Sequence, residues 1–63
     1  MNYPEKIKEL REKLFLTQED LAKILNVSPI TICRWESGKF EPTMKLKKSL
    51  YRLLVENKVV KED

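Results

Sequence analysis

The chain has 63 residues, of which 37% are charged, with 13 Lys and Arg against 10 Asp and Glu for a net charge of +3. A chain this short forms one small domain and buries only about 60% of the surface its unfolded form exposes. One cysteine, Cys33, and no histidine exclude an internal disulfide, a zinc-ligand set and histidine-based acid–base catalysis, so no metal, cofactor or enzymatic activity is expected.

The N-terminus, Met1 to Lys6, has no basic segment leading into an apolar stretch, and no apolar run approaches the roughly 20 residues a membrane span needs. The expectation is therefore a cytoplasmic protein with no membrane contact. Ile7, Leu10 and Leu14 recur at helical spacing and predict a first helix over about residues 4–14, with Pro4 at its start, Glu5 in the first turn and Lys13 in the last. Thr17 precedes Gln18-Glu19-Asp20, where its hydroxyl can cap a second helix and Asp20 can complete a capping box. Leu21, Ala22, Ile24 and Leu25 form the expected buried side of that helix. Asn26, tolerant of the left-handed conformation, ends it.

Only Asn26 and Val27 separate the second helix from Ser28-Pro29, a capping serine followed by proline at the first helical position. The third helix runs from there to Gly38. At 100° per residue Ile32, Trp35 and Glu36 share one side, which packs, while Ile30, Arg34 and Ser37 face outward. Lys39-Phe40-Glu41-Pro42 forms a turn, and Thr43 caps a fourth helix whose apolar face is Leu46, Leu50, Leu53 and Leu54. Residues 1–57 are the expected domain, and 58–63 a frayed tail. Charge is uneven along this order: residues 1–33 carry five bases and five acids, whereas residues 34–58 carry seven bases and three acids. That skew fits a second half facing a polyanion, and equally a solvated lysine-rich face.

Gln18, Ala22, Asn26, Val27, Ser28, Ile32 and Glu36, in that order, describe two short helices crossing steeply about a tight turn. Ala22 is small at the close approach, and Val27 and Ile32 wedge the pair, which is a helix-turn-helix. Over about residues 5–55 the sequence resembles the phage repressor and Cro family, the XRE-type helix-turn-helix, on Leu16-Thr17-Gln18-Glu19-Asp20-Leu21-Ala22 and Trp35-Glu36-Ser37-Gly38-Lys39. The resemblance implies an all-α, compact four-helix, lambda repressor-like DNA-binding domain. Its implied function is sequence-specific regulation of transcription, with the helix of about residues 29–37 in the major groove of double-stranded DNA.

Roles follow at matching positions. Gln18 resembles the family's glutamine that grips a backbone phosphate and braces the recognition helix; read without the family, it is an ordinary helix-start polar residue. Pro29, Ile30 and Arg34 match the family's base readers, with Thr31 beside them. Arg34 alone among these can donate a bidentate pair to guanine O6 and N7, the other readings being a phosphate contact or a solvated arginine. Pro29 departs from the family's frequent polar residue and Asn26 from its usual glycine; Pro29 and Ile30 offer only shape and apolar contact to a base. Lys39 resembles a loop residue that meets phosphate, and Thr43 at a helix N-terminus presents N–H groups to another. Lys45, Lys47 and Lys48 either extend this footprint or form a solvated face. Arg11 and Glu36 match a pair the family uses as a structural salt bridge.

Trp35 reads as core rather than as a stacking platform for single strands, and Cys33 as inert, since only Arg34 lies near enough to lower its pKa. An antitoxin, a restriction-modification controller or a protein-interaction module of the same fold remain alternatives to a transcriptional regulator. Many family members carry a fifth helix that contributes to dimerisation. Little follows Asn57 here, so the expectation is a monomer when free and a weak homodimer on DNA, with Tyr51, Val55, Val59 and Val60 as the apolar candidates for a partner surface.

Overall fold

The computed structural model describes residues 2–61, which form four helices: α1 (Tyr3–Leu14), α2 (Gln18–Leu25), α3 (Pro29–Ser37) and α4 (Met44–Glu56). Each start has a local cause. The Asn2 side chain accepts the Glu5 amide ahead of α1, with proline in the first turn. Thr17 and Asp20 form a reciprocal capping box on α2, the Asp20 amide donating to Thr17 Oγ1 at 3.0 Å and the Thr17 amide to Asp20 Oδ2 at 2.9 Å, which satisfies otherwise orphaned donors. Thr43 caps α4 by accepting the Leu46 amide. Ser28 differs from the sequence expectation: its backbone is extended as a cap requires, but its hydroxyl makes no capping bond and instead lies 3.1 Å from Thr31 Oγ1.

The helix ends share one device, a left-handed residue that turns the chain. Phe15, Asn26, Gly38 and Lys58 all have positive φ. After Phe15, Asn26 and Lys58 the next amide reaches back five residues to a helix carbonyl, as Leu16 to Arg11, Val27 to Ala22 and Val59 to Leu54. This pattern satisfies the last carbonyls and brings the following apolar residue against the helix it has left.

Ile7, Leu10, Leu21, Ala22, Leu25, Ile32, Trp35, Leu50 and Leu54 make the core, with Leu16, Val27, Leu46 and Leu53 packed partly buried against it. Two side chains depart from the expected pattern. Ile24 is 53% exposed; Leu21, Ala22 and Leu25 already centre the buried face of α2, and Ile24 projects roughly 100° from their mean direction. Leu14, in the last turn before the chain reverses, is also exposed.

The tail also departs from expectation. Val59 and Val60 are not frayed: both pack against the core, with their amides directed to the Leu54 carbonyl. The left-handed turn at Lys58 makes this possible by redirecting the chain back over α4. Ordered packing thus extends past residue 57 to Val60, and Glu62 and Asp63 lie outside the described residues. Among the described residues, no helix is long and apolar enough to cross a membrane.

Candidate nucleic-acid interface

The pair α2 and α3 is set by the short connection through Asn26, Val27 and Ser28. Asn26 at φ 57 reverses the chain, Ala22 at 1% exposure allows close approach, and Val27 fills the inside of the turn. Helix α3 then packs against both α1 and α2. Its inner side is Ile32, Trp35 and Glu36, all buried, so Trp35 belongs to the core. Its outer side is uncovered: Pro29, Ile30, Cys33, Arg34 and Ser37 are exposed, and Thr31 is half-buried.

Glu36 is a carboxylate with a 5% exposed side chain, and the surrounding donors explain how it is tolerated there. Arg11 Nε donates to Oε2 at 2.5 Å and Arg11 Nη2 to Oε1 at 2.8 Å. Gln18 Nε2 donates to Oε1 at 3.3 Å, and Arg11 Nη1 donates to the Leu16 carbonyl at 3.1 Å. One buried acid on α3 therefore ties together α1, the α1–α2 turn and the first residue of α2. The hydrogen bond to Glu36 raises the Arg11 pKa above its ordinary value, outweighing the opposing effect of partial burial, and the guanidinium keeps its charge throughout the physiological range.

Gln18 is half-buried and engaged with Glu36, so its position braces α3 directly. Lys39 is exposed just beyond Gly38, its amide donating to Ser37 Oγ at 3.4 Å. Thr43 is exposed at the start of α4, with its hydroxyl engaged in the cap. Lys45 and Lys48 are exposed. Lys47 is more enclosed, pairing with Glu41 at 3.6 Å and lying 5.6 Å from the Tyr3 ring centroid; it is the least free of the three to extend a cationic surface.

One contact at this surface was not legible in the sequence. The Arg34 guanidinium carbon stands 5.3 Å from the centroid of the Phe40 ring. Phe40 reads in the sequence only as part of a turn. The available signal is an aromatic residue six positions after an arginine and across a helix-ending glycine, a spacing at which the chain folds back on the helix.

A helix-turn-helix family model matches residues 7–48. The HTH-type transcriptional activator BcrR of Enterococcus faecalis is 50% identical over 44 residues, covering 70% of this chain and 22% of its own length. An uncharacterised HTH-type transcriptional regulator of Archaeoglobus fulgidus is 44% identical over 48 residues, 76% of this chain and 68% of the relative. Another from Methanocaldococcus jannaschii is 54% identical over 41 residues, 65% of this chain and 62% of the relative. The chain thus spans about a fifth of the enterococcal activator, 22%, and 68% and 62% of these two archaeal relatives. No solved structure matches at a comparable level. The match covers α2, the turn and α3 together with most of α1 and the start of α4, and the chain belongs to the helix-turn-helix family, of the phage repressor and Cro (XRE) type.

Proposed function

We propose that this chain is the sequence-specific, double-stranded DNA-binding domain of a transcriptional regulator, with α3 entering the major groove. The observation that carries this reading is the two-sidedness of α3. Ile32, Trp35 and Glu36 anchor it, while Pro29, Ile30 and Arg34 are left exposed on a helix fixed by a buried ion pair. A rigid helix with an uncovered outer face is what groove insertion requires. The names of the relatives, as transcriptional regulators and an activator, point the same way.

In this reading Arg34 reads a guanine through its N–H edge, Ile30 and Pro29 supply apolar contact, and Thr31 stands beside them. Gln18, Lys39 and Thr43 meet phosphates, which set register without specifying sequence. The free chain is a monomer, and two copies pair weakly on half-sites one helical turn, about 34 Å, apart. Two observations support the monomer. Val59 and Val60 pack against the chain's own core, and the remaining apolar candidates, Tyr51 and Val55, line a groove shared with Lys47, Lys48, Arg52 and Glu56, charged groups whose desolvation would add a cost to pairing there.

Selection of bound sites from a random duplex pool tests the function. Enrichment of a short motif, repeated at helical-turn spacing where two copies bind, is the expected result. Recovery of unenriched sequence would remove sequence-specific recognition, and no duplex binding at low and moderate salt alike would leave a protein-interaction module as the use of the fold.

A further inference from the structure

Arg34 is exposed, yet its surroundings constrain it. Gly38 adopts the left-handed conformation at φ 78, and its amide donates to the Trp35 carbonyl at 3.2 Å. The Ser37 hydroxyl donates to the Arg34 carbonyl at 2.9 Å and accepts the Lys39 amide at 3.4 Å. These bonds fold residues 37–39 tightly over the end of α3. The result is that Phe40, six positions along the chain, presents its ring to the Arg34 guanidinium at 5.3 Å. The ring lines a small cleft with Asn2, Pro4 and Gly38, so it borders α1 on one side while remaining 58% exposed.

We infer that Phe40 is the positioning residue that gives Arg34 its base specificity. A guanidinium has two chemically separate surfaces: a flat π face that stacks on aromatic rings and an edge carrying N–H donors that matches an acceptor pair. The two uses do not compete. With the Phe40 ring holding the guanidinium carbon 5.3 Å from its centroid, N–H donors remain for guanine O6 and N7, and the rotamers that would carry the guanidinium away to solvent or to a neighbouring phosphate are depopulated. An arginine without this support contacts phosphates as readily as bases, since both offer acceptors to a flexible cation. Phe40 thus acts on discrimination more than on total affinity. This inference rests on the proposed reading of Arg34 as a base contact.

The test compares Phe40→Ala, Phe40→Leu and Phe40→Tyr, each alone and with Arg34→Ala, on the duplex selected from the random pool and on a random duplex of equal length. Phe40→Leu keeps an apolar side chain at the cleft and removes only the π face, so it separates stacking from folding. Phe40→Ala and Phe40→Leu are expected to bind the selected duplex about two- to five-fold more weakly, the size of an exposed cation–π contact. Random-duplex affinity stays unchanged, Phe40→Tyr binds as the parent chain does, and the Phe40 effect disappears in the Arg34→Ala background. Full affinity of Phe40→Leu for the selected duplex, or an undiminished Phe40→Ala loss in that background, would overturn the inference while leaving DNA recognition intact. An Arg34→Ala variant that binds the selected duplex like the parent chain would remove the base-reading assignment and this inference with it.

Discussion

Arg11 in α1 and Glu36 at the end of α3, 25 positions apart, meet through two parallel hydrogen bonds of 2.5 and 2.8 Å. Glu36 is nearly fully buried and Arg11 is 21% exposed, so removing the arginine leaves a buried charge with only Gln18 as a side-chain donor. Arg11→Ala is expected to cost about 2–4 kcal/mol, because an unpaired buried charge costs more than the pair contributes. Urea denaturation measures it. The double variant Arg11→Met with Glu36→Leu, which removes both charges, should recover most of the loss; a double variant as unstable as Arg11→Ala would contradict this account.

Arg34 and Lys39 lie at the two sides of the end of α3, and their substitutions should separate. Arg34→Ala is expected to weaken binding to the selected site by about 1–3 kcal/mol and to relax preference at one guanine. Lys39→Ala should weaken all duplexes alike and reduce the magnitude of the salt slope by about one, the signature of one phosphate neutralised. Titrations at several salt concentrations distinguish them, and an exchange of the two behaviours would reverse the assignments.

Phe15 holds a left-handed conformation at φ 55 with 93% of its surface exposed. A bulky L-residue there is strained by roughly 1–2 kcal/mol, and a ring this open recovers little by burial. Phe15→Gly relieves the strain and gives back part of the gain through the freer unfolded chain. The net expectation is a stabilisation of about 0.5–1 kcal/mol, read as a Tm a few degrees higher. A lower Tm would show that the ring supports the fold.

Asp20 titrates below its ordinary range because the Thr17 amide and hydroxyl hydrogen-bond its carboxylate. A carboxyl with a folded pKa below its unfolded value stabilises the fold fully above the unfolded value, about 3.9, and loses that contribution as pH falls through the folded one. Asp20→Asn should therefore lower stability at neutral pH and flatten its decline below about pH 4. Thermal unfolding from pH 2 to 7 measures both, and identical acid limbs for the two proteins would refute the linkage.

Sedimentation at several concentrations should return a monomer at low micromolar protein, since with Val59 and Val60 packed on the chain's own core the apolar candidates left for a partner surface are Tyr51 and Val55, whereas a stable interface buries roughly 1,000 Å². A stable dimer in the absence of DNA would place the interface on α4.

What the sequence determined by itself was local. The starts of α1, α2 and α4, the capping box at Thr17 and Asp20, the left-handed turn at Asn26 and the inner side of α3 are settled by hydrogen bonds and periodicities spanning about five residues, and a linear reading reaches that far. The outward face of α3 was legible for the same reason, as the complement of Ile32, Trp35 and Glu36. Tertiary structure decided the rest. Periodicity gives a helix a wet and a dry side but not the width of the dry one, so Ile24 became exposed when its neighbours filled the available contact. Val59 and Val60 carry no helical pattern, and only the turn at Lys58 and the presence of a core behind it draw them in. The engagement of Gln18 with Glu36, and of Phe40 with Arg34, depends on how separate elements or a reversed chain bring side chains within a few ångströms, and that is set by the packing of the whole core rather than by any segment of it.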